Sequence, residues 1–188
     1  RNDLILGTHG RAIWILDDAT PIQQWQAELN ETDAHLFPIR ESFRYARSFT
    51  RYGEGDHRWI AQNPAYGASI TYYLNHIPDL TTNTEDDEAD GENSTKSSTD
   101  EEWLSLEILN GSGEVIRTLQ DLPTMKGMNR VSWDLSVDGP RNRTDQVSAG
   151  LFGGPPAGAQ VLPGTYTARL TVNGKQYEQA LQVSIDPS

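Results

Sequence analysis

The clearest alternation of apolar and polar residues runs from Leu162 to Ser188, LPGTYTARLTVNGKQYEQALQVSIDPS, where two stretches of period two flank Asn173-Gly174. Asn-Gly tolerates positive φ at both positions and is the strongest short signal for a two-residue type I′ hairpin. That turn sets a register: Val172 opposite Lys175, Leu170 opposite Tyr177, Ala168 opposite Gln179 and Tyr166 opposite Leu181, with Arg169 meeting Glu178 on the other side. One face of the ribbon is largely apolar. A hairpin of this kind is not stable alone, so it predicts a second sheet lying on it and hence a β-sandwich.

The same period recurs upstream. Gly67 to Asn75 carries Ala68, Ile70, Tyr72 and Leu74 on one face, and Leu104 to Leu109 turns Leu104, Leu106 and Ile108 inward. Asn110-Gly-Ser-Gly then leads into Val115 to Leu119, and Gly127 to Leu135 aligns Val131, Trp133 and Leu135. At the start, Arg1 to Asp18 reads as two short strands, Leu4 to Thr8 and Ala12 to Leu16, joined tightly at His9-Gly10. Both are apolar at nearly every position, the pattern of strands covered on both faces. A strand that begins almost at once, with no initiator Met before it, reads as the continuation of a longer polypeptide. Thr20 to Asn30 predicts a short helix, with Pro21 in its first turn and Ile22, Trp25 and Leu29 at helical spacing. From Ala34 the segment AHLFPIRESFRYARSF reads as a strand followed by irregular chain. The expected class is all-β, an antiparallel sandwich preceded by a terminal hairpin and a short helix.

Composition narrows the function classes. A net charge of −12 argues against nucleic acid as a partner, and no uninterrupted apolar run approaches a membrane span. With no cysteine there is no disulfide, thiolate metal site or cysteine nucleophile. Nine of the 27 acidic residues lie between Glu85 and Glu102 with few apolar neighbours, so the stretch from 81 to 102 is expected to be a solvated acidic loop. Asp86, Glu88, Asp90 and Gly91 imitate the opening of an EF-hand loop. Ser97 stands where a bidentate glutamate is required, so no calcium site, and no cofactor of any kind, is expected.

Candidate chemistry is sparse. Adjacent acids such as Asp17-Asp18 and Glu101-Glu102 point to opposite faces of an extended strand and cannot flank a substrate bond. No serine lies in a Gly-x-Ser-x-Gly setting, and His57 with Asp56 and His76 lacks metal-ligand spacing. The segment Arg51 to Tyr66, RYGEGDHRWIAQNPAY, is the best place for a ligand: Tyr52, Trp59 and Tyr66 offer flat apolar faces and His57 a polar edge, the mixture a sugar site uses. The same aromatics also suit a long loop anchored onto the sandwich. The residues therefore predict no catalysis within this chain. Two readings of different class stay open, a structural or interaction module and a carbohydrate-binding accessory domain. A third is a subunit contact module in a surface assembly, with the strand at either terminus donating an edge to a neighbouring subunit.

Two resemblances add to this reading. GTHGRAIWILDD resembles the closing segment of the β-propeller in secreted proteins of the sortilin-like, Asp-box (BNR) repeat class, which includes propeller glycoside hydrolases; Thr8 to Trp14 is similar to a degenerate Asp-box without its aspartate. The series LEILNGSGEVIRTL, GMNRVSWDL and LPGTYTARLTVNGK resembles the immunoglobulin-like sandwich of the flagellar hook capping protein. Together they imply that residues 1–30 end a propeller blade with its exit helix and that 31–188 form an immunoglobulin-like sandwich. They also imply a secreted or cell-surface protein whose partners are the propeller of the same parent chain, other subunits or a glycan. Were the parent a glycoside hydrolase, its carboxylates would lie in that propeller, outside this chain.

Overall fold

The computed structural model describes residues 2–10, 12–46, 64–77, 103–139 and 158–187. Leu4–Gly7 (β1) and Ile13–Leu16 (β2) form a separate two-stranded antiparallel hairpin. Thr20–Gln23 is one α-helical turn (α1), and Ala27–Glu31 is a 3₁₀ turn. The remaining strands are Ala34–Leu36 (β3), Ser42–Arg44 (β4), Ala68–Leu74 (β5), Leu104–Leu109 (β6), Val115–Leu119 (β7), Gly127–Trp133 (β8), Gly164–Val172 (β9) and Lys175–Ile185 (β10). They assemble into a five-stranded sheet, β4-β10-β9-β6-β7, and a three-stranded sheet, β3-β5-β8. The fold is all-β.

The β9–β10 hairpin has the expected register throughout, from Val172 opposite Lys175 to Tyr166 opposite Leu181, with Arg169 opposite Glu178. Its cause is local. Asn173 and Gly174 have φ of 49° and 77°, the left-handed pair that a type I′ turn demands. Once the register is set, period two turns Ala168, Leu170, Leu181 and Val183 to the same buried side. They meet Leu106 and Ile108 of β6 and, from the other sheet, Ile70, Tyr72, Leu74 and Trp133, all in one apolar cluster. Each large side chain enclosed in this way contributes about 1.5–3 kcal/mol. Trp133 can be buried because its indole N–H donates to the Ser136 carbonyl at 2.8 Å. Tyr166 is half-buried at the rim, edge-on to Trp133 with ring centroids 5.6 Å apart.

The three-stranded sheet is covered on its outer face as well. Thr71 and Tyr73 point away from the core cluster, yet both are buried, beneath residues that follow β2. Trp25 stacks edge-on against Tyr73 at 4.8 Å, and the Asn75 amide donates to the Asn30 carbonyl at 2.8 Å. This covering corrects the helix expected over Thr20 to Asn30. The segment breaks after Gln23 and tightens into the 3₁₀ turn, because eleven residues hold a helix weakly and the contact of Trp25 with the sheet outweighs continued helical bonding. The chain after β3 is also more ordered than its sequence suggests: Ser42–Arg44 pairs in parallel with Val183–Ile185 and closes one edge of the larger sheet.

Candidate functional site

Among the described residues the N-terminal hairpin stands apart from the two larger sheets. Its register pairs Leu4 with Leu16, Ile5 with Ile15, Leu6 with Trp14 and Gly7 with Ile13. Opposed residues share a face, so one side presents Leu4, Leu6, Trp14 and Leu16 and the other Ile5, Ile13 and Ile15. Among the described residues the expectation that both strands are covered on both faces is not met: Ile13 is 70 %, Trp14 65 %, Ile5 63 % and Ile15 62 % exposed. The reason is topological. The ribbon projects from the sandwich as its own two-stranded sheet, and none of its strands joins the two larger sheets. At the tip Gly10 takes φ of 70° and Ala12 93°, and the Thr8 amide and hydroxyl both donate to the Ala12 carbonyl.

The root of the ribbon is built from polar contacts. The Ala19 amide donates to the Asn2 carbonyl at 2.7 Å, and the Asn2 side-chain amide donates to Thr20 Oγ1 and Gln23 Oε1. Asp18 is buried with φ of 56°, a conformation that aspartate tolerates better than most residues. Its carboxylate accepts from the Thr20 amide and hydroxyl, and its own amide donates to Asp3 Oδ1 at 3.1 Å. Arg130, on the outward face of β8, donates from Nη1 to the Asp17 carbonyl at 2.7 Å, from Nη2 to the Asp18 carbonyl at 3.0 Å and from Nε to Thr71 Oγ1 at 3.2 Å. Arg40 lies 3.5 Å from Asp3.

Beside this root opens a cleft of about 870 Å³, with Asp3, Asp17, Arg40, Tyr45, Arg130 and Asp186 in its walls. Its two arginines are engaged in holding the chain together, so the cleft is chemically a joint between ribbon and sandwich. Among the described residues no group of three His, Cys, Asp or Glu side chains could hold a metal ion. The shifted titrating groups lie elsewhere. Burial holds His35 below its ordinary 6.5, and burial pushes Tyr72 up to about 12.

Of the residues singled out for a sugar site, Tyr52, His57 and Trp59 lie outside the described residues, as does the EF-hand-like stretch around Asp86. Tyr66 is half-buried, packs against the core cluster and meets Tyr45 edge-on at 5.0 Å. Sequence reasoning missed Arg130, and it read Asp18 with Asp17 as part of an extended strand, whereas Asp18 has φ of 56° and lies beyond the end of β2. The one available signal was parity: Arg130 falls on the outward side of a strand whose Val131 and Trp133 face in. Its partner Asp18 lies 112 residues away, and no local pattern connects them.

Comparison of this chain with protein-family models, with curated proteins and with solved structures finds no match. Among the described residues no helix is long and apolar enough to cross a membrane.

Proposed function

We propose that this chain is a non-catalytic structural and interaction module at the C-terminal end of a secreted or cell-surface β-propeller protein. In this reading its immunoglobulin-like sandwich is attached to the propeller of the same parent polypeptide through the β1–β2 ribbon. The observation that carries the proposal is the ribbon itself, two strands apolar on both faces and exposed on both. Large apolar side chains exposed on both faces of one ribbon point to an interaction site, and two open strand edges invite pairing with a further sheet. The resemblance of GTHGRAIWILDD to a closing propeller segment supplies the class of partner, a β-sheet body that covers both faces. Any hydrolytic chemistry of the parent would then belong to that body, and the sandwich would serve attachment and spacing. A glycan-binding role draws no support from Tyr66, the one described member of the proposed aromatic set, because that ring packs inward.

Hydrogen exchange on the chain alone and on the chain joined to its propeller tests the reading. Amides from Leu4 to Leu16 are expected to exchange within minutes in the isolated chain and at least a hundredfold more slowly in the joined protein. Equal exchange in the two samples would overturn the proposal.

A further inference from the structure

We infer that Arg130 is a positioning residue that locks the β1–β2 ribbon to the sandwich as a rigid arm of set direction. The inference concerns how the ribbon leaves the sandwich and holds whatever body covers it.

The geometry of a single guanidinium carries the argument. Its three donating nitrogens reach three acceptors on two elements: Thr71 Oγ1 on the neighbouring strand of its own sheet, and the successive carbonyls of Asp17 and Asp18 at the exit of the ribbon. In an extended strand successive carbonyls point to opposite sides, so one planar fork could not take both. Here Asp18 leaves the extended conformation, with φ of 56°, and both carbonyls accept from the one guanidinium. The carboxylate of Asp18 holds this conformation by accepting from the Thr20 amide and hydroxyl. A lysine at position 130 could supply one point of contact; the rigid fork of arginine supplies an orientation.

The ribbon is also tied at its root, where Asn2 and Asp3 bond to Ala19, Thr20, Gln23 and Asp18 on the segment that follows β2. Its strands pair with each other and with no strand of the sandwich, and its apolar side chains are exposed. An ion pair at the root, Arg40 to Asp3, is longer at 3.5 Å, and both Arg40 and Arg130 are exposed. An ion pair of that kind is weak and screened by salt. The bonds from Arg130 end on neutral carbonyls and a hydroxyl, so they are far less sensitive to ionic strength.

Backbone ¹⁵N relaxation and hydrogen exchange on the whole chain test the assignment with Arg130→Lys, Arg130→Gln and Arg40→Gln. In the parent chain the order parameters of 4–7 and 13–16 are expected near those of β9 and β10, roughly 0.85, and to stay there in high salt. Both substitutions at 130 are expected to lower them below about 0.6 and to speed exchange of the Ala19 amide at least tenfold. The amides of β5, β9 and β10 should keep their protection, and Arg40→Gln should leave the ribbon ordered. Three results would overturn the assignment: a ribbon as ordered in Arg130→Lys as in the parent, a ribbon released by Arg40→Gln or by salt alone, or ribbon and sandwich loosening together in both variants at 130. Since Arg130→Lys keeps the charge and the long alkyl stem, it separates loss of the fork from loss of the fold.

Discussion

Tyr72 is a buried side chain with a titratable end, and its environment decides which form the fold accepts. The ring is enclosed in the core cluster, and the hydroxyl donates to the Pro123 carbonyl. Burial raises its pKa from 10.0 to about 12, so the folded chain keeps a proton that the unfolded chain releases. The stabilisation is complete below pH 10 and is lost as pH rises from 10 through about 12. His35 works in the opposite sense: burial lowers its pKa from 6.5, so its contribution is present above 6.5 and is lost as pH falls below that value. Urea midpoints against pH are therefore expected to fall on both sides of a plateau. Tyr72→Phe should flatten the alkaline limb while costing about 1 kcal/mol at neutral pH for the lost hydrogen bond. An alkaline limb of unchanged steepness in that variant would show that another group sets it. Parity in the sequence places Tyr72 inside, with Ile70 and Leu74, but carries no sign of the Pro123 carbonyl that makes its burial tolerable.

At the level of elements, the junctions between strands hold the strictest requirements. Gly67, which leads into β5, has φ of 111°, and a Cβ there would lie 1.9 Å from the Trp133 carbonyl oxygen. Both obstacles are backbone ones, since the conformation disfavours any side chain and the colliding atom belongs to the paired strand β8. Gly67→Ala is expected to destabilise the sandwich by at least about 3 kcal/mol in urea titration; a loss under about 1 kcal/mol would mean that the β5–β8 junction shifts freely. Asn129, buried in β8, closes the approach to the same strand: its amide donates to the Met125 and Gly127 carbonyls and its oxygen accepts from the Met125 amide. Elements of this kind are legible to different degrees. β9 and β10 are readable because a local turn and a two-residue period dictate them. The parallel pair Ser42–Arg44 with Val183–Ile185 is not, because 141 positions separate Ser42 from Val183 and three residues carry no period worth reading.

For the whole molecule, the division of labour is between a sandwich that encloses its own core and a ribbon that encloses nothing. Not one residue of β1 or β2 belongs to the core cluster. Removal of residues 1–17 should therefore leave the urea midpoint of the sandwich nearly unchanged, since Arg130 is simply rehydrated. Any concentration-dependent association of the intact chain in sedimentation velocity should disappear as well, because Trp14 and the isoleucines leave with the deletion. A truncated chain that unfolds would show that the ribbon is integral to the sandwich; one that still associates would place the sticky surface elsewhere. The net charge of −12 adds a general repulsion between copies that works against association of the intact chain.

Period two and one Asn-Gly pair were enough to determine the all-β class, the sandwich strands from Ala68 onward and the register of the last hairpin, because those properties depend on neighbours a few residues apart. The apolar character of the first two strands was equally plain in the letters. Only the tertiary structure decided that they stand clear of the sandwich, that the chain after them breaks its helix to cover Tyr73, and that a guanidinium from β8 grips their exit. Each of these depends on contacts between segments far apart in sequence, where the energy of packing and of paired polar groups outweighs local preference and leaves no periodic trace in the chain.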